Sequence, residues 1–184
     1  MKRIFLILIG ILLTQEISYA QKSISDFEII EDSTNTFKEI DDFFKLDKFK
    51  GKVIYVDVWG TRCGPCIKEF AYNKELKEKF KNKQVEFLYL CSPYSMKRDS
   101  LNIELWKKLI VKHNLGGLNI FMSPQCYMEG FFEKYADKYT EREQYGIPAY
   151  LLVNKKGDII NFKAPRPSSK EKLYKEIEDL LSEK

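Results

Sequence analysis

Residues 53–58 (VIYVDV) form a run of β-branched and aromatic residues broken only by Asp57, with the length and composition of a buried strand. After it the period changes. Phe70, Leu76 and Phe80 recur among lysines and glutamates, which predicts a helix from Cys63 to about Lys81. Residues 85–90 (VEFLYL) predict a second strand, and 101–113 a second helix stopped by Asn114, Gly116 and Gly117. A short third strand is predicted over 118–122 and a third helix over 130–139. Tyr127, Phe131, Tyr135 and Tyr139 recur every four residues and read as one buried helix face. Strands over 149–153 and 159–162 flank N-K-K-G-D, the sequence of a hairpin turn. A last helix is predicted over 169–181. Ser168 and Glu171 are spaced as its capping box, and Leu173, Ile177, Leu180 and Leu181 form its apolar stripe.

The order is β-α-β-α-β-α-β-β-α. Strands separated by helices pair in parallel through crossovers, and the late hairpin adds an antiparallel pair. The pattern predicts a three-layer α/β domain around a mixed sheet. Composition agrees with a single domain: 184 residues, 44% hydrophobic and 32% charged, suffice for a core without staples. No repeat or linker divides the chain. The net charge is +4, from 31 basic and 27 acidic residues, which is not the footprint of a nucleic-acid partner.

The N-terminus changes the picture of where the domain works. Lys2 and Arg3 precede an apolar run over 4–13, and Ser18 and Ala20 are small residues at the two positions a signal peptidase reads. The run is too short for a membrane span, which needs roughly twenty residues. A cleaved signal peptide is expected over 1–20. The domain over 21–184 would then be extracytoplasmic, where disulfides can persist.

Cys63 and Cys66 form C-x-x-C where a strand gives way to a helix. A sulfur at a helix N-terminus faces unpaired backbone N–H groups, which favour thiolate over thiol. The thiolate is the attacking species in disulfide exchange, and a second cysteine one turn on can resolve the mixed disulfide. A structural disulfide would rarely open a helix after a buried strand. A zinc site would need Cys91 and Cys126 at spacings unlike paired C-x-x-C ligands. No metal and no cofactor is therefore expected. Asp57 is a charge in an apolar strand, and burial would raise its pKa; the alternative is a strand-end aspartate facing water. Cys91 and Cys126 fall at the carboxyl ends of two strands, and read either as two buried free thiols or as a second bridge, the former being favoured. His113 reads as a partner of a helix C-terminus, with no catalytic role.

The stretch W-G-T-R-C-G-P-C after an apolar strand resembles the thioredoxin superfamily. With the N-terminal signal and an additional central α/β insertion, it resembles the TlpA/ResA branch. G-K-V-I-Y-V-D-V-W, Y-G-I-P-A-Y-L-L-V-N-K-K-G-D-I-I and A-P-R-P-S-S belong to the same resemblance, which covers residue 49 onward. It implies a thioredoxin-like fold and a thiol–disulfide oxidoreductase, in which Cys63 attacks, Cys66 resolves and Asp57 takes the proton of Cys66. It implies that Trp59 packs beneath the dithiol, and that Pro148 is cis and faces it, with the Ile147 backbone offered to an extended substrate. Glu69 alone reads as an exposed helix residue; C-x-x-C-x-x-E-F resembles ResA-type proteins, whose glutamate lines the active-site cavity. The Gly-Pro dipeptide resembles thioredoxin, with a potential of about −270 mV, which implies a reductant of disulfide-bonded client proteins. Resupply by a membrane thiol donor of the DsbD or CcdA type, and a part in cytochrome c maturation, follow from the same likeness. Three positions depart from the pattern: Gly60 stands for the usual alanine, Arg62 adds a charge beside Cys63, and Ala71 replaces a helix-kinking proline, predicting a straighter helix. A thiol peroxidase and a redox-inert binding domain are the rival classes. The first usually has Thr or Ser where Gly60 stands, and the intact dithiol speaks against the second.

Overall fold

The computed structural model describes residues 27–93, 100–135 and 146–183. The expected signal peptide lies outside them, as do Tyr139 and the end of the third predicted helix. Six strands form one mixed sheet in the order β1-β4-β3-β2-β5-β6. They are β1 (Phe27–Glu31), β2 (Val53–Trp59), β3 (Val85–Cys91), β4 (Gly117–Phe121), β5 (Ala149–Val153) and β6 (Ile159–Asn161). β1, β4, β3 and β2 run parallel, and β5 and β6 join antiparallel. Central β2 is buried at every position because both faces are covered, hence its unbroken apolar run.

Alternation along β2 sorts the core into layers. Ile54, Val56 and Val58 face a cluster with Phe43 of α1 (Asp41–Phe44) and with Phe131. Val53, Tyr55, Asp57 and Trp59 take the opposite side, under α2 (Gly64–Glu69), α3 (Asn73–Lys79), α4 (Ser100–His113) and α6 (Glu171–Ser182). The three-layer architecture is thus the one expected. The central insertion is α4, β4, α5 (Pro124–Tyr127) and a π-helical turn over Met128–Glu133. No helix among the described residues is long and apolar enough to cross a membrane.

The expected elements differ from the observed ones in four places. β1 was not legible: it is an edge strand with Ile29 turned outward, so its alternation is weak. The single helix over 63–81 is interrupted by a 3-10 turn at Phe70–Tyr72, despite Ala71. The tighter turn keeps Phe70 edge-on to Trp59 (5.1 Å) while Leu76 and Phe80 reach the cluster around Tyr55. The third helix begins earlier than expected, because Ser123 caps it by accepting the Cys126 N–H at 3.2 Å and Pro124 takes the first turn. Finally, Ser168 does not cap α6. A 3-10 turn over Pro167–Ser169 precedes that helix, and Lys170 enters it at φ +43°. The hairpin forms as expected, with Gly157 at φ +90° and Asn154 Oδ1 accepting the N–H groups of Lys156 and Asp158 at 2.9 Å.

Candidate active site

β2 ends at Trp59, and the chain turns through Gly60 to Arg62 before α2 begins. The Cys63 N–H donates to Gly60 O at 3.0 Å, and the Ser92 N–H to Trp59 O at 2.8 Å, fixing the turn to β3. The Thr61 hydroxyl donates to Asn102 Oδ1 at 2.8 Å, tying it to α4. Cys63 and Cys66 are joined as a disulfide. Cys63 caps α2: its sulfur accepts the Cys66 N–H at 3.2 Å. Cys63 is half-buried and Cys66 fully buried. Pro65 sits in the first turn, where the missing N–H costs little.

Trp59 is buried beneath the pair, packed with Cys66, Cys91 and Phe70. The Ile147–Pro148 bond is cis, and Ile147 packs against the same cluster. A Cβ at Gly60 would come within 2.6 Å of Ile147 Cδ1 and 4.0 Å of Cys63 Cβ. The missing alanine methyl is thus matched by the Ile147 side chain, so this departure from the family pattern has a packing reason. Trp59, Ile147, Pro148 and the dithiol are therefore brought to one end of the sheet.

Asp57 faces the helix layer containing α2. Across the sheet its neighbours in register are Tyr89 of β3 and Tyr150 of β5. Neither carboxyl oxygen has a hydrogen-bond partner among the described residues. Burial, and next the charge of Glu69, hold this carboxyl well above the usual carboxylate range, against the pull of Lys77. Burial in turn lowers Lys77 to about 7, opposed by Asp57, and its ammonium lies 5.0 Å over the Tyr89 ring. Glu69 is buried rather than exposed; Ser168 donates to it through its N–H (2.9 Å) and its hydroxyl (3.0 Å). Sequence reasoning missed Lys77 and Ser168. Glu69, Asn73 and Lys77 recur every four residues on a helix face that also carries Leu76, a polar stripe beside the core that could have flagged Lys77.

Cys91 and Cys126 are buried free thiols, the favoured expectation. They pack in different clusters on opposite faces of the sheet: Cys91 with Trp59, Cys126 with Phe43. Burial raises both, Cys126 to about 12. His113 ends α4 with its ring 5.4 Å from Phe70.

A helix-capping dithiol at the end of a central strand, over a buried carboxyl and beside a cis-proline, defines the thioredoxin class of fold and site. A Redoxin family model matches residues 26–177, and the chain belongs to that family. The thiol-disulfide oxidoreductase ResA of Bacillus thuringiensis is 48% identical over 46 residues, 25% of this chain and 27% of that protein. The ResA of Bacillus subtilis is 41% identical over 44 residues, 24% of this chain and 25% of that protein. The matched stretch thus spans about a quarter of these curated relatives. Among solved structures, a thiol-disulfide oxidoreductase from Bacteroides vulgatus is 31% identical with a TM-score of 0.53, over 72% of this chain and 75% of the other. A thiol:disulfide interchange protein DsbE from Chlorobium tepidum shares the fold, at 22% identity and a TM-score of 0.52, over 74% of this chain and 84% of the other.

Proposed function

We propose that the chain is an extracytoplasmic thiol–disulfide oxidoreductase that reduces disulfides of client proteins. The observation that carries this reading is the Cys63–Cys66 pair, set at a strand-to-helix turn on the side of the sheet that buries Asp57. In the reduced chain, the Cys63 thiolate attacks one sulfur of a client disulfide. A bond forms between Cys63 and that sulfur, and the other client sulfur leaves as thiolate. Cys66 then gives its proton to the Asp57 carboxylate, attacks Cys63 Sγ and expels the first client sulfur. Two electrons pass to the client, and the chain is left as the disulfide. The half-buried sulfur suits attack and the buried one suits resolution. The raised affinity of Asp57 for a proton brings it closer to that of a thiol, which favours the transfer.

Glu69 bears on the site by its charge, and Trp59 supports the dithiol from below. Ile147 and Pro148 form the edge against which an extended client segment lies, a role supported by the packing of Ile147 beside Gly60 and Cys63. The pattern of residues 1–20 supports export as a signal peptide, leaving 21–184 as the working domain. A reductant outside the cytoplasm needs electrons, which a membrane thiol donor of the DsbD or CcdA type would supply. The resemblance of C-x-x-C-x-x-E-F to ResA-type proteins supports haem-attachment cysteines of cytochrome c as a client class.

Insulin reduction tests the reading. Wild-type chain with a thiol donor is expected to turn over, Cys63→Ser to be inactive, and Cys66→Ser to stop as a mixed disulfide. Wild-type turnover in Cys63→Ser, or peroxide consumption without disulfide reduction, would contradict it.

A further inference from the structure

Ser168 stands 99 residues from Glu69 and meets it on the surface of the helix layer. Its N–H donates to Glu69 Oε2 and its hydroxyl to Glu69 Oε1, so one residue grips both carboxylate oxygens. Ser168 is exposed, whereas Glu69 is buried. The segment leading to Ser168 is tied to the layer that holds Asp57. The Tyr55 hydroxyl donates to Pro165 O at 2.8 Å, and the Ala164 N–H donates to Tyr150 O at 3.0 Å. Tyr55 and Tyr150 share the Asp57 side of the sheet, with rings stacked 5.8 Å apart.

We propose that Ser168 is a positioning residue: it holds the Glu69 carboxylate inside the helix layer that covers Asp57, so that Glu69 acts on that carboxyl from a fixed, buried place. A glutamate without this grip would turn toward water, where its charge is screened; held in the layer, it acts through a medium of low dielectric. The other groups facing Asp57 are Tyr55 on its own strand, Tyr89 from β3, Tyr150 from β5 and Lys77 from α3. Arg166, in the same segment as Ser168, acts on Tyr150. Glu69 and Lys77 act on Asp57 in opposite senses, so loosening Glu69 tips the balance toward the ionised aspartate.

The proposal deepens the oxidoreductase reading and rests on it for its consequence in catalysis, but its test needs no turnover. The Asp57 carboxyl is titrated by 13C NMR in the disulfide form of the full chain. Relative to wild type, its midpoint is expected to fall in Glu69→Gln, to fall by less in Ser168→Ala, and to return in Ser168→Thr, which keeps the hydroxyl. In a Glu69→Gln background, Ser168→Ala is expected to add nothing. Ser168 is exposed, so the substitutions at that position leave the fold intact. An unchanged midpoint in Ser168→Ala or in Glu69→Gln overturns the proposal, as does a Ser168→Ala shift that persists without Glu69. Failure of the wild-type chain to reduce insulin would instead remove the oxidoreductase reading and leave these midpoints as measured.

Discussion

Asp57 is the residue whose behaviour the sequence and the structure most nearly share. A single carboxyl in VIYVDV is conspicuous because every neighbour is apolar, and the structure buries it. Its folded pKa lies above the 3.8 of the free side chain, so the folded chain holds a proton that the unfolded chain has lost. The stability this brings is fully present below the unfolded value and is lost as pH rises through the folded one, each unit between them amounting to about 1.4 kcal/mol. The comparison is made by denaturant unfolding of the disulfide form between about pH 4 and about pH 6, below the about 7 to which burial lowers Lys77. Over that range Asp57→Asn is expected to gain stability relative to wild type as pH rises; a constant difference would show that the carboxyl is not buried in this way. Ser168 was not legible in the same manner. S-x-x-E satisfies a capping-box pattern, but positive φ at Lys170 moves the helix start past Ser168, and the hydroxyl serves Glu69.

At the scale of elements, burial made the inner strands legible, while the N-K-K-G-D turn rather than burial marked the edge strand β6. β2, β3 and β5 lie inside the sheet and have the runs of Val, Ile, Leu and Tyr that a strand covered on both faces requires. β1 lies at the edge and lacks that signal. Helix periodicity locates a face but not a break, so the 3-10 turn at Phe70–Tyr72 could be known only from the packing of Phe70 on Trp59. The π-helical turn is held by a close approach: the Ile40 N–H donates to Gly130 O, and a Cβ at Gly130 would overlap the backbone of Lys38 and Glu39. Backbone cannot swing aside as a side chain can. Gly130→Ala is therefore expected to cost about 1–3 kcal/mol in urea unfolding; a change within about 0.5 kcal/mol would mean that the two segments part freely.

For the whole molecule, the sheet separates the two cysteines that the sequence left open. Cys91 belongs to the layer beneath the dithiol and Cys126 to the opposite one. Alkylation of the denatured, air-oxidised chain without reductant is expected to label these two, and all four after reduction; no labelling before reduction would reveal a second bridge. The same layering gathers Cys63, Cys66, Trp59, Asp57 and Glu69 on one side of the sheet, and the Cys63–Cys66 disulfide leaves Cys91, on that side, and Cys126, on the other, as free thiols. Whether that pair serves as a reductant is tested most directly by its reduction potential, from the disulfide-to-dithiol ratio in defined glutathione or dithiothreitol buffers. The account expects a value near the about −270 mV of thioredoxin, whereas one near the about −120 mV of DsbA would contradict it and make the chain an oxidant.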